Sequence, residues 1–139
     1  RPVNKFVAGF LGMPPMNFLE GAIEDRGGQT FITGDGFDLV LTEERAASAK
    51  TAQKRHVTLG VRPSDLTYAP DSAPDQALEL NVMVSEYVGA QSVVLCTCGA
   101  AKVMVELGSD TPVALGQTLK FAVNPAGIHL FDRESEVAL

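Results

Sequence analysis

Short runs of alternating apolar and polar residues, punctuated by glycine and proline, recur along this chain. Phe37, Leu39 and Leu41 alternate with Asp38, Val40 and Thr42, the period of a half-buried strand. Runs of strand character also cover 18–24, 30–33, 56–61, 78–88, 91–97, 102–107, 118–123 and 128–131. Between them stand Gly27-Gly28, Gly34-Asp35-Gly36, Gly99, Gly108-Ser109-Asp110, Gly116 and Asn124-Pro125, residue types that turn a chain. The longest run predicts a core strand with Leu78, Leu80, Val82 and Val84 on one face. Strands at this spacing without a long helix between them predict a closed or sandwiched antiparallel β fold.

Two stretches break the pattern. In residues 3–11, Phe6, Val7, Phe10 and Leu11 form one apolar stripe, which predicts a short helix stopped by Gly12 and Met13-Pro14-Pro15. Residues 43–55 are alanine-rich and charged, which favours a helix or a frayed loop with helical turns. Thr42-Glu43-Glu44-Arg45 partly matches a capped helix start. With only alanines to bury, this segment is expected to be solvated and the most mobile part of the chain.

The chain has 139 residues, enough for one core without metal or disulfide staples. Its net charge of −6 and scattered basic residues argue against nucleic-acid binding, which needs clustered Lys and Arg. Only 6% of residues are aromatic and none is Trp, which also weakens a stacking groove for single strands. No apolar run reaches the length of a membrane span. Cys96 and Cys98 point to one face of a strand, too far apart for an easy bridge, and suit a reducing compartment. They are expected to be half-buried strand residues.

Candidate chemistry is sparse. Gly-x-x-x-x-Gly-Lys-Ser/Thr is absent, and no serine stands in Gly-x-Ser-x-Gly. His56 and His129 have no second ligand at metal-binding spacing. Glu43 and Glu44 read as a solvated pair rather than an acid–base couple. Arg62-Pro63-Ser64-Asp65 reads first as a strand end: Pro63 fixes φ, and Asp65 can accept from open N–H groups. Its second reading is a contact surface. Gly89 reads as a turn glycine and His129 as a structural hydrogen-bonding group.

Four segments in order carry a resemblance. They are 4–19, Leu59-Gly60-Val61-Arg62-Pro63-Ser64-Asp65-Leu66, Glu86-Tyr87-Val88-Gly89-Ala90-Gln91, and Asn124-Pro125-Ala126-Gly127-Ile128-His129-Leu130-Phe131-Asp132. Together they resemble the C-terminal part of the ATPase subunit of sugar-type ABC importers, of the maltose and glycerol-3-phosphate kind. Ser64 stands where that family usually has glutamate, Val88 where it has leucine, and Gln91 where it has an acid. The resemblance implies a mainly β, OB-like TOBE barrel over 16–139, with residues 1–15 as helix and junction from an upstream nucleotide-binding domain. It implies a non-catalytic regulatory and dimerising role, with ATP and Mg bound only by the parent protein and no cofactor in this part. Arg62, Pro63, Ser64, Asp65, Gly89, His129 and Asp132 become candidate regulatory or interface residues. The implied partners are a second copy, the upstream nucleotide-binding domain, permease subunits and a regulatory protein. The implied location is the cytoplasmic face of the membrane. The alternative is a small-ligand or oxyanion-sensing OB-like module.

Overall fold

The computed structural model describes residues 15–51, 55–88, 91–108 and 113–139. The predicted helix at 3–11 and the turn glycine Gly89 lie outside these residues.

Among the described residues ten strands alternate with short turns; nine of them answer to runs of the apolar–polar pattern, and the three-residue strand at Leu66–Tyr68 is additional. The ten are β1 (Asn17–Arg26), β2 (Gln29–Gly34), β3 (Phe37–Val40), β4 (His56–Val61), β5 (Leu66–Tyr68), β6 (Ala77–Val88), β7 (Gln91–Cys98), β8 (Ala101–Gly108), β9 (Thr118–Val123) and β10 (His129–Asp132). Among the described residues one α-helix, α1 (Glu43–Thr51), lies between β3 and β4. Single 3-10 turns at Pro63–Asp65, Pro74–Gln76 and Pro125–Gly127 each begin on a proline, whose fixed φ suits a helical first position.

The strands form two five-stranded antiparallel sheets. The first has the order β10-β4-β1-β2-β3 and the second β5-β9-β6-β7-β8. One apolar core joins them: Leu19, Ile32, Leu59 and Leu130 of the first sheet pack with Leu78, Val94, Val103 and Phe121 of the second. The expected OB-like β class therefore holds, with the strands divided between two sheets rather than one. The final strand decides the topology. After β9 the chain leaves the second sheet, turns through Pro125–Gly127, and pairs β10 with β4 of the first.

Sheet edges are covered from nearby. The C-terminal tail lies along β10, with the Leu139 N–H donating to the Leu130 carbonyl and the Asp132 N–H to the Val137 carbonyl. On β8 the amide side chain of Asn17 pairs with both backbone groups of Met104, at 2.9 and 2.8 Å. A side-chain amide carries the same donor and acceptor as a peptide, so Asn17 continues the ladder where no strand follows. It is 7% exposed, so its amide is satisfied where water is scarce.

Three expectations are corrected. Residues 43–55 are not simply a solvated segment. Over Glu43–Thr51 they form a helix capped by Thr42, whose Oγ1 accepts from the Arg45 N–H at 3.2 Å. Ala49 is buried, and so is Arg45, whose Nε donates to the Ile128 carbonyl at 2.6 Å. A long arginine stem supplies the packing that alanines alone lack. Second, a register shift after Val82 interrupts the strand predicted to run evenly through Leu78, Leu80, Val82 and Val84. A bulge at Met83 sets Val82 opposite Cys96 but Val84 opposite Leu95, so the alternation loses step. Met83 itself is 44% exposed. Third, the cysteines are fully buried rather than half-buried.

Candidate functional site: an interlock of two segments

The segment at 59–66 and the segment at 124–132 meet in the fold. β4 and β10 pair antiparallel, with His129 opposite Gly60 and Leu130 opposite Leu59. Gly60 lies on the sheet face where Met16 and Phe131 form a small second apolar cluster with Phe18 and Ala138. A Cβ on Gly60 would stand 2.5 Å from the Met16 Sδ and 2.8 Å from the Phe131 Cε2, closer than real contacts allow. Glycine is therefore required here by space. Phe131 is wholly buried on what would otherwise be a solvated sheet face, and Phe18 meets its ring edge-on at 6.0 Å.

A second contact of the same kind lies beyond the strands. The Asp65 carboxylate packs against Gly127 so closely that a Cβ there would overlap it. The Asn124 Nδ2 donates to the Asp65 Oδ1 at 3.1 Å, and the Asn124 N–H donates to the Asp65 carbonyl at 2.9 Å. Asn124 also caps its own turn, its Oδ1 accepting from the Ala126 N–H. Each segment thus supplies one glycine slot and one group that fills the partner's slot.

The predicted site residues divide accordingly. Pro63 is buried at the first position of its turn, and Asp65 is held by Asn124. Asp132 holds the C-terminal turn, accepting from the Glu134 N–H and the Ser135 hydroxyl. His129 is half-buried on β10. Ser64 is exposed, and Arg62 is half-buried with no ion pair among the described residues. Gly89 lies outside the described residues. Three of the seven residues, Pro63, Asp65 and Asp132, are buried or bonded within turns of the fold. Arg62 and Ser64 are left as accessible groups.

Other chemistry is quenched by its surroundings. Burial pushes both cysteine thiols up to about 11, so neither is a nucleophile at neutral pH. On the outer face of the first sheet, Arg26 bridges Glu24 and Asp38 and lies 4.5 Å over the Phe31 ring. Its hydrogen bonds hold the Glu24 carboxyl below the usual carboxylate range. No group of three or more His, Cys, Asp or Glu gathers into a metal-binding set among the described residues. The Asn17, Arg45 and Asn124 contacts escape a sequence reading, because their partners lie far along the chain and local periodicity does not report them.

Comparison with known proteins adds the family. The MalK OB fold domain model matches residues 12–66, and the TOBE domain model matches residues 59–131. Their overlap falls on the first interlocking segment. The chain is 34% identical over 142 residues to YurJ of Bacillus subtilis (strain 168), described as an uncharacterized ABC transporter ATP-binding protein, covering 99% of this chain and 39% of that one. It is 29% identical over 144 residues to the multiple sugar-binding transport ATP-binding protein MsmK of Streptococcus mutans serotype c, covering 100% of this chain and 37% of that one. The chain thus spans under two-fifths of these relatives. Among solved structures, the cytoplasmic molybdate-binding protein ModG shares the fold with a TM-score of 0.58, covering 82% of this chain and 94% of ModG, at 15% identity. The two-sheet architecture, the interlocked segments and these matches agree: the chain belongs to the TOBE domain family, with a MalK OB fold domain as its first half.

Proposed function

We propose that this chain is the non-catalytic regulatory and dimerising part of the ATP-binding subunit of an ABC importer for a sugar or related solute. The observation that carries this reading is a match along essentially the whole chain to ATP-binding subunits of which it spans under two-fifths. The remainder of such a subunit supplies ATP and Mg binding and meets the permease. Residues 1–15 belong with that upstream nucleotide-binding domain. The assembly works at the cytoplasmic face of the membrane, and no helix among the described residues is long and apolar enough to cross it. A second copy is held through this part while the catalytic domains open and close. Tethering keeps the partner catalytic domain at roughly millimolar effective concentration or above, so reassembly does not wait for diffusion. Arg62 and Ser64, accessible beside the interlock, are the groups offered to a regulatory protein.

Calorimetric titration of the isolated chain with ATP and Mg to millimolar concentration tests this division of labour. No saturable heat is expected, and saturable nucleotide binding overturns it. A molybdate arm of the same titration separates this reading from an oxyanion sensor, for which saturable binding of the anion is the signature.

A further inference from the structure

Between the end of β3, the end of β9 and the turn that leads into β10 lies a cleft of about 220 Å³. Leu39, Leu41, Val123 and Ile128 line it, all four buried in the core, so its walls are apolar. Two polar groups on those walls are spent inside the chain. The Thr42 hydroxyl accepts from the Arg45 N–H, and the Ile128 carbonyl accepts from the Arg45 Nε.

The 3-10 turn Pro74–Gln76 packs against β3 and places Asp75 and Gln76 on the same cleft. Pro74 opens this turn, and the Gln76 N–H closes it on the Ala73 carbonyl at 3.0 Å. Asp75 is half-buried, and its carboxylate makes no hydrogen bond or ion pair among the described residues. The exposed Gln76 side-chain amide is equally unspent. Among the described residues lining the cleft, Asp75 is the one charged side chain. A carboxylate partly removed from water carries a cost that a bound cation offsets. An anion is repelled there, and a neutral alcohol leaves the charge uncompensated. An ammonium supplies the charge and enough N–H donors for the Asp75 carboxylate and the Gln76 carbonyl together. Apolar walls with a few unspent polar groups are the composition of a small-molecule pocket. The volume equals that of roughly seven waters, room for a small molecule and not for a helix or strand of a partner.

We infer that this cleft binds a small aliphatic amine, its chain against Leu39, Leu41, Val123 and Ile128 and its ammonium on Asp75 and Gln76. Such a site lies apart from Arg62 and Ser64, and it stands or falls independently of the dimerising role proposed above.

The test is titration of the full 139-residue chain with hexylammonium, hexanol and hexanoate, followed by amide NMR, with folding of each variant checked by its denaturant melt. Hexylammonium is expected to saturate, with shifts confined to residues 39–42, 75–76 and 123–128. It is expected to bind about tenfold tighter than hexanol, the worth of one charge-assisted hydrogen bond. Hexanoate is expected not to saturate. Asp75→Asn is expected to erase the advantage of the ammonium over the alcohol. Asp71→Asn, the same charge change on an exposed residue that does not line the cleft, is expected to leave that advantage intact. Equal binding of ammonium and alcohol, equal effects of the two variants, or no saturation by hexylammonium overturns the site. Saturation by a lysine-bearing peptide in place of hexylammonium overturns it too, because the cleft then seats a partner protein's side chain.

Discussion

Gly60 and Gly127 show what the two recurrent segments do. Neither glycine has a left-handed φ, so neither is required by backbone conformation. Each is required because a side chain from the other segment occupies its Cβ position: Phe131 with Met16 at Gly60, and Asp65 at Gly127. Adding a methyl to such a filled site forces the neighbours apart and costs ~1–3 kcal/mol. Gly127→Ala is therefore expected to lower the unfolding free energy by that amount, read as a fall in the denaturant midpoint at unchanged slope. In an Asp65→Gly background the slot is empty, and the same substitution should cost much less. A double-mutant cycle measures the difference. Equal costs in both backgrounds would show that Asp65 and Gly127 are not coupled.

At the scale of elements, apolar periodicity identifies strands well but reads their burial unevenly. Val82 is 3% exposed in the core, whereas Ala47 is on the exposed side of α1. Val82→Asp buries a charge with no partner and costs several kcal/mol, comparable to the ~5–15 kcal/mol stability of a domain. Ala47→Asp should cost under ~1 kcal/mol, because the charge stays in water. Urea melts of both variants check this, and a tolerated Val82→Asp would contradict the packing of β6. The helix would tolerate little at its other face, where Ala49 is buried and Arg45 binds the Ile128 carbonyl.

At the scale of the whole molecule, β10 makes one core out of two sheets. It comes last in the chain yet pairs with β4, so the first sheet is incomplete until the chain has passed through the second. A fragment of residues 15–66 holds β1–β4 but leaves one edge of β4 bare and Leu59 without Leu130 opposite it. Such a fragment is expected to show no cooperative thermal transition by circular dichroism, while the whole chain melts cooperatively. A folded 15–66 fragment would mean that β10 only decorates the first sheet. The OB and TOBE family matches, which overlap at the interlock, then describe two halves of one folding unit.

The sequence by itself determined the local structure. Strand β4 and strand β9 occupy the predicted 56–61 and 118–123, and Thr42 caps the helix foreseen after it. Alternation and turn residues act over a few positions, so they can be read from neighbours alone. The motifs at 59–66 and 124–132 were legible as a pair, though not as a pair in contact. The short strand β5 (Leu66–Tyr68) was not legible at all, since three residues are too few for a period. Tertiary structure decided the rest: which strands share a sheet, where Met83 breaks register, and that Arg45 and both cysteines are buried. A period of two says which residues share a face, but it does not name what that face meets. The partners are up to 87 residues away, as Asn17 and Met104 are. Only the closed fold brings such groups together and selects the two glycines that let it close.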